Sequence, residues 1–561
     1  MKVLIANRGE IATRIERAVR ALDWTPQHVH TVEEASTADA ESHPLPKAGV
    51  AGYLDVEAIV GAAVLTGSDL VHPGYGFLSE SAELARACEA SGLTFVGPDP
   101  TTLELFGDKG SAREHALAHG VPLLDATGRD ASLAEVAALL ERHPAGIMIK
   151  AVSGGGGRGM RPVTDAADLA EAYDRCRSEA ERAFGNSSVY AERLLASAKH
   201  IEVQVLGDGT GVVTLGEREC SVQRRHQKVI EVAPSPSLTD AHRERLTTWA
   251  KDLTAPLGYR GLATVEFLVN ADLLRRGGPL DAVFIEVNPR LQVEHTVTEE
   301  VTGTDLVRAQ LLVAAGHRLD EAGVPSDVRP RPGVVAVQSR VNAEEVVGGT
   351  VVATTGTVTG FSAPAGVRVD TGIAVGTVVD GTFDSLLAKV VTVTEGDHAA
   401  ACSDADAAVA ALRIEGVRTN VPLLRELLAH EVVRSGDVTT AWLDHLLAER
   451  ADAERTTDES GTVASVMNGT VLAVSVKPGD TVGPRTPLAT LESMKMEHPV
   501  TAGFAGTVTE VLVAAGDQVA AGQPIAVVAP DDTVDHQHTE DADVDLDHIR
   551  PDLAELHDRI A

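Results

Sequence analysis

The sequence is poor in cysteine, in aromatic residues and in positive charge, and it holds no long hydrophobic run. Among 561 residues there are 4 cysteines (Cys88, Cys176, Cys220, Cys402) and only 3% Phe, Trp and Tyr. Four scattered cysteines exclude a disulfide framework and a cysteine-based zinc site. No apolar stretch approaches the roughly 18 residues that a membrane-spanning helix needs. Lys and Arg total 48 against 82 Asp and Glu, a formal net charge of −34, which argues against nucleic acid or an anionic membrane as the main partner. The first ten residues turn polar after a few apolar ones, unlike a secretory signal. The expectation is a cytoplasmic chain, and its 44% hydrophobic residues can fill several domain cores.

Five stretches follow one another, with a tail. Residues 1–105 begin with a short apolar strand at 2–6. The turn Asn7-Arg8-Gly9-Glu10 then leads into an amphipathic helix carrying Ile11, Ile15, Val19 and Leu22, which predicts a parallel α/β layer. In 106–315, helical patterns alternate with strands such as Ile147–Lys150, Ile201–Val205 and Val283–Val287. Residues 316–332, rich in Gly, Pro and charge, read as a connector, and 333–445 as strands followed by two helices. Residues 449–461 are polar without an apolar period, and read as a linker.

Past the linker lies a two-copy repeat. Gly469-Thr470-Val471, Gly479-Asp480 and Val482 recur 37 residues later as Gly506-Thr507-Val508, Gly516-Asp517 and Val519. Duplicated short strands with Gly-Asp turns predict two half-sheets closing into a flattened all-β barrel over 462–529. Between the halves stands Glu492-Ser493-Met494-Lys495-Met496-Glu497, placing Lys495 at a hairpin tip. This unit resembles the biotinyl/lipoyl carrier family, and that resemblance implies covalent biotin on Lys495. Met-Lys-Met favours biotin over lipoate.

Two further groups of residues point to phosphate chemistry. Lys150-Ala151-Val152-Ser153 followed by Gly154 to Gly157, Arg158 and Gly159 comes directly after a strand. Glycines let backbone N–H groups approach phosphate oxygens, and the strand-end lysine adds a point charge. Farther on, Thr264-Val265-Glu266-Phe267 and Phe284-Ile285-Glu286-Val287-Asn288 put carboxylates on apolar strands. An unpaired carboxylate there costs several kcal/mol, so an arginine or a metal is expected beside it. Glu266, Glu286 and Asn288 offer hard oxygen ligands suited to Mg²⁺ (or Mn²⁺) bound with substrate phosphates.

Glycine segment, strand lysine and paired carboxylates together resemble the ATP-grasp fold. Asn7-Arg8-Gly9-Glu10-Ile11-Ala12, the run from His72-Pro73-Gly74 to Glu80, Gly107-Asp108-Lys109, Gln223 to Lys228, Arg290 to His295, and Arg340 to Glu344 resemble the biotin carboxylase family from residue 2 to about 445. The fold class implied is α/β and α+β multidomain. It comprises a Rossmann-like N-terminal domain, an ATP-grasp domain, a mixed C-terminal carboxylase domain and the biotinyl barrel. The resemblance implies ATP contacts at Lys109, Lys150, Gly156, Gly157, Glu192, Arg193, Leu194, Leu195, His200, Gln223 and His226. It implies metal ligands at Glu266, Glu286 and Asn288, and bicarbonate at Lys228, Arg290, Gln292 and Val293. Glu294 is then the general base, and Arg340 faces the biotin ureido group. The reaction implied is ATP- and bicarbonate-dependent carboxylation of carrier-bound biotin through carboxyphosphate.

Thirteen residues separate the two parts. That leaves no room for the intervening domain of propionyl-type subunits or for a carboxyltransferase, so the expected context is the α subunit of a bacterial acetyl-/acyl-CoA carboxylase. Expected partners are a carboxyltransferase subunit or downstream domain, a biotin protein ligase, bicarbonate and a second copy of the chain in a homo-oligomer. Two alternatives stay open: another ATP-grasp ligase with a lipoylated accessory domain, and a non-catalytic biotin carrier scaffold. Cys220 reads as a small buried hydrophobe rather than a nucleophile, and His28 and His30 as bystanders. In the tail, 530–561, an acidic run from Asp531 to Asp547 predicts disorder. Ile549, Leu553, Leu556 and Ile560 then predict a short docking helix or the start of a further domain.

Overall fold

The computed structural model describes residues 1–35, 42–153, 159–195, 197–347, 349–455, 461–465, 469–484, 486–493, 496–519 and 522–530. Gly156, Gly157, Lys495 and the predicted tail features beyond residue 530 lie outside these residues. The chain divides into two compact units, the first comprising Met1–Val347 with Val351–Ala448, the second Gly348–Thr350 with the residues from Glu449 on.

The first unit opens with a five-stranded parallel sheet: β1 (Lys2–Ile5), β2 (Thr25–His30), β3 (His43–Pro44), β4 (Leu70–His72) and β5 (Thr94–Phe95), in the order β3-β2-β1-β4-β5. Val3, Leu4 and Ile5 are all buried, as expected of a strand covered on both faces. Strand order reverses at β1, and ligands of open α/β sheets bind where such a reversal opens a crevice at the carboxyl ends. There Asn7 follows β1 and its Nδ2 donates to the carbonyls of Pro73 and Tyr75, both at 2.7 Å, fixing two sequence motifs together.

His72, the last residue of β4, is buried, with Nδ1 accepting from the Gly74 N–H at 3.0 Å. Burial, reinforced by Arg14, lowers its pKa from 6.5 to about 3. The stability that depends on neutral His72 is therefore complete above pH 6.5 and is lost as pH falls from 6.5 toward 3, by up to about 1.4 kcal/mol per pH unit. Denaturant titrations of His72→Asn should show a shallower pH dependence across that window than the parent chain. Parallel slopes would contradict this.

A small sheet follows, with β6 (Ile147–Ala151) between β7 (Met160–Val163) and β8 (Val189–Arg193). The central element is an eight-stranded antiparallel sheet. It contains β9 (Ala198–Asp208), β10 (Val212–Arg224), β11 (Gln227–Ala233), β12 (Arg260–Asn270), β13 (Ala282–Asn288), β14 (Val334–Asn342) and the later strands Leu386–Glu395 and Arg368–Thr371. Its order is β13-β12-β9-β10-β11-β14, then Leu386–Glu395, then Arg368–Thr371. Because β11 pairs with β14, one sheet crosses the stretch where the sequence reading separates 106–315 from 333–445. The connector 316–332 is not bare loop either. Leu319, Ala322 and Val324 are buried in the core that holds Ile11, Ile15 and Val19.

The stretch 449–461, expected to be linker, is corrected in its first half: the helix Trp442–Arg455 runs through it. Leu443 and Leu447 anchor that helix in the core, and Ala, Glu and Arg, good helix formers, continue it. Polarity without an apolar period therefore marked a helix end rather than a loop.

In the second unit the repeat becomes reciprocal pairing. Gly469 and Thr470 pair with Val519 and Gln518, while Gly506 and Thr507 pair with Val482 and Thr481. The N–H of Val471 donates to the Asp517 carbonyl and that of Val508 to the Asp480 carbonyl, both at 2.8 Å. Each half completes the other's sheet, giving two four-stranded sheets. Strands Pro487–Ser493 and Met496–Thr501 form the connecting hairpin, with Ser493 opposite Met496.

Candidate active site

A cavity of about 1130 Å³ in the first unit is lined by Lys109, Lys150, Glu192, Arg193, Leu194, Leu195, His200, Gln223, His226, Lys228, Glu266, Glu286, Asn288, Arg290, Gln292, Val293, Glu294 and Arg340. Every described residue singled out from the carboxylase motifs lines it. Lys109 begins the helix Lys109–Ala118, whose N-cap Asp108 accepts from the Ser111 N–H at 2.8 Å. Lys150 on β6 meets Glu192 on β8 at 2.5 Å, and Arg113 holds the other Glu192 oxygen at 2.7 Å. Gln223 and His226 flank the turn between β10 and β11, where Arg225 and His226 hold left-handed φ values of 46° and 64°. Non-glycine residues adopt that conformation at a cost, and the Asp444 carboxylate grips the Arg225 N–H there.

Sheet register builds the charged floor. Glu286 on β13 lies opposite Glu266 on β12, Glu266 opposite Glu202 on β9, and Glu202 opposite Arg218 on β10. Three carboxylates in a row repel unless cations intervene. Arg218, fully buried, donates to Glu202 at 2.5 Å, Gln204 at 2.7 Å, Thr298 at 2.9 Å, Thr264 at 3.0 Å and Gln292 at 3.2 Å. Lys228 reaches Glu202 and Glu294 at 2.5 Å and Glu266 at 3.2 Å. Burial disfavours its charge, but these three carboxylates prevail and raise its pKa well above the ordinary range. The acidic clusters His200–Glu202–Glu266 and Glu202–Cys220–Glu294 are close enough to suggest metal sites. Glu202 is already neutralised by Arg218 and Lys228, and burial pushes the Cys220 thiol well up, so neither triad offers a metal what it needs.

Glu286 is different. Asn288 Nδ2 reaches it at 3.4 Å, and burial, then Glu266, raises its pKa. Burial also opposes ionisation of Glu266, but Lys228 and His200 outweigh it and hold that carboxyl well below the usual range. His200 Nε2 lies 2.8 Å from Glu266. A divalent cation at Glu266, Glu286 and Asn288 would relieve the repulsion that Glu286 carries, so the donor set fits Mg²⁺.

Glu294 stands at the N-terminal boundary of the helix His295–Thr302, its side chain making no capping bond. Burial would raise its pKa, but Lys228, Arg340 and Arg218 hold it well below the ordinary carboxylate range. Arg340 Nη2 approaches Glu294 at 3.1 Å, while its Nε donates to Glu231 at 2.5 Å. Gln338 also donates to Glu231, at 2.9 Å. Gln292 Nε2 donates to Glu266 at 3.0 Å. Arg290 donates to Glu80 at 2.5 Å and to Asn288 at 3.1 Å. Glu80 ends a motif quoted above without a role, and Glu202, Arg218 and Glu231, which motif reading passed over, hold the lining residues Lys228, Gln292 and Arg340 from behind. Glu202 and Glu231 each sit on an apolar strand, the same anomaly that marked Glu266.

Comparison with known proteins accounts for the whole layout. Residues 1–103 match the biotin carboxylase N-terminal domain and 108–322 the carbamoyl-phosphate synthase L chain ATP-binding domain. Residues 338–445 match the biotin carboxylase C-terminal domain and 459–528 the biotin-requiring enzyme domain. Pyruvate carboxylase of Aspergillus niger is 43% identical over 457 residues, 79% of this chain and 37% of that protein. The chain thus spans about two fifths of the length of the curated pyruvate carboxylases it matches. A single-chain, multi-domain long-chain acyl-CoA carboxylase of solved structure aligns with 100% of this chain and 52% of its own, at 39% identity and a TM-score of 0.69. The biotin carboxylase domain of a single-chain bacterial carboxylase aligns with 81% of this chain and 99% of its own, at 44% identity and a TM-score of 0.70. No helix among the described residues is long and apolar enough to cross a membrane. A relative matched over nearly its entire length at that identity leaves one assignment: the chain belongs to the biotin carboxylase family and carries a biotin-requiring carrier domain in the same polypeptide.

Proposed function

We propose that this chain carries out the first half-reaction of an acyl-CoA carboxylase, using ATP and bicarbonate to carboxylate biotin held on its own Lys495. The observation that carries the acyl-CoA reading is coverage. The long-chain acyl-CoA carboxylase aligns with all of this chain, whereas the pyruvate carboxylases align with 79% to 90% of it. A carrier directly after the carboxylase part, with no transferase domain between, fits that arrangement.

The residues have distinct work. Lys109, Lys150 and the glycine segment that includes Gly156 and Gly157 would hold the ATP phosphates. Glu192, Arg193, Leu194 and Leu195 would meet the nucleotide beside His200, Gln223 and His226. Glu266, Glu286 and Asn288 would hold Mg²⁺, which neutralises phosphate charge. Arg290, Lys228, Gln292 and Val293 orient bicarbonate, a planar oxyanion matched by a guanidinium fork. Ionised Glu294 takes the bicarbonate proton as a bicarbonate oxygen attacks the γ-phosphorus and ADP departs. Carboxyphosphate then releases CO₂ and phosphate inside a cavity that limits water. Biotin supplies the ureido nitrogen that accepts the carboxyl group of CO₂, its N–H proton leaving to the phosphate released from carboxyphosphate. Arg340, steadied by Glu231, presents its remaining donors to that side of the cavity.

A carboxyltransferase and a biotin protein ligase complete the proposed system, in the cytoplasm and with the chain as a homo-oligomer. The deciding assay couples the biotinylated chain to the carboxyltransferase that co-purifies with it. Acetyl-, propionyl- or longer acyl-CoA should be carboxylated in preference to pyruvate. Faster carboxylation of pyruvate would overturn the acyl-CoA reading and leave the carboxylase reading standing.

A further inference from the structure

One fully buried cation takes no part in the chemistry above. Lys389 is 0% exposed, on the strand Leu386–Glu395, directly opposite Arg340 on one neighbouring strand and Asp370 on the other. Against burial, Asp370 is held ionised by Lys389 and Arg368, and it bonds to Arg17 at 2.6 Å and Arg368 at 2.9 Å, so it keeps two cations without Lys389. The Lys389 ammonium also forms an ion pair with Glu10 Oε2 at 2.8 Å and donates to the Val293 carbonyl at 3.1 Å. The other Glu10 oxygen accepts from the Tyr75 hydroxyl.

Two segments flagged by sequence therefore meet at one ammonium, the turn Asn7–Glu10 and the loop Arg290–Glu294, and a third, the run containing Tyr75, joins them through Glu10. Backbone packing makes the junction tight. A Cβ on Gly372 would lie 2.3 Å from the Gly9 carbonyl carbon, so this approach admits only glycine at 372. A counter-ion for Glu10 alone would not need to reach Val293. The peptide unit it grips joins Val293 to Glu294, so the ammonium fixes the backbone on which the base and the bicarbonate contacts are mounted.

We propose that Lys389 is a positioning residue for bicarbonate, setting the Gln292–Glu294 backbone by gripping the Val293 carbonyl while Glu10, itself held by the Tyr75 hydroxyl, pairs with the ammonium. This rests on the reading of that loop as the bicarbonate site. The test is steady-state kinetics of the full chain, following bicarbonate-dependent ATP turnover with free biotin, alongside thermal melting. Lys389→Met alone strands a buried Glu10 carboxylate, so the informative variant joins it to Glu10→Gln, which removes both charges. The double variant should melt within a few degrees of the parent. Its KM for bicarbonate should rise about tenfold, the equivalent of about 1.4 kcal/mol, with KM for ATP little changed. Lys389→Arg, which keeps a charge for Glu10 but alters the reach to Val293, should show the same bicarbonate-specific rise. An unchanged bicarbonate KM in a folded variant, or equal rises for bicarbonate and ATP, would overturn the proposal. A parent chain without bicarbonate-stimulated turnover would overturn the carboxylase reading and this inference together.

Discussion

Replacing Glu294 with Gln should lower bicarbonate-dependent ATP turnover by about 10²–10⁴-fold, the usual range for a lost general base. The expectation comes from the balance of forces on this carboxyl. A buried carboxylate ordinarily protonates, yet Lys228, Arg340 and Arg218 hold Glu294 ionised. It is therefore ready to accept a proton across the working pH range, and its own titration should not limit activity near neutrality. The amide keeps the size and one acceptor oxygen, but loses the charge that pairs with Lys228 at 2.5 Å and Arg340 at 3.1 Å. Lys228 remains paired with Glu202 and Glu266, so the fold should survive. Turnover within a few-fold of the parent, measured on folded protein, would remove Glu294 from the mechanism.

Replacing Lys495 with Arg should abolish biotin attachment altogether, and with it all transfer to an acceptor, while turnover with free biotin stays near the parent level. An amide to biotin requires a nucleophilic amine, and arginine, always protonated, cannot supply one. The strands Pro487–Ser493 and Met496–Thr501 pair through their own backbones, and a like-charged substitution at 495 replaces no residue of either strand. Intact mass after coexpression with a biotin ligase reads the result directly. A mass gain equal to one biotinyl group on the Lys495→Arg chain would place the attachment elsewhere.

The features legible in the sequence were those that break a local pattern. Glu266 and Glu286 stood out as carboxylates on strands of Val, Ile and Phe, and the structure sets them opposite each other. The repeat at a 37-residue offset emerged as reciprocal pairing between Gly469–Thr470 and Gln518–Val519, and between Gly506–Thr507 and Thr481–Val482. Arg218 could not be read this way. Its five partners lie on β9, on β12, in the loop at Gln292 and in the helix His295–Thr302. They meet it only once antiparallel register is fixed. Removing such a buried arginine should cost about 3–5 kcal/mol, because Glu202 would lose half its neutralising charge.

Glu202, Glu231 and Lys389 were within reach. Ile201-Glu202-Val203, Ile230-Glu231-Val232 and Ala388-Lys389-Val390 each carry the signal that marked Glu266, without a recognised motif around it. The helix reaching Arg455 was missed for the opposite reason. Its last turns carry Ala, Glu, Asp and Arg, so no apolar period announces them, and helix continues there from the buried Leu443 and Leu447.

The most direct measurement of the central claim is a labelling experiment on the intact, biotinylated chain. Incubated with radiolabelled bicarbonate, Mg²⁺ and ATP, the protein should acquire acid-labile label at a stoichiometry approaching one per biotin, and none when ATP is omitted. The label should map to the peptide containing Lys495. A fully biotinylated chain that hydrolyses ATP but gains no label, or gains it without ATP, would contradict the account.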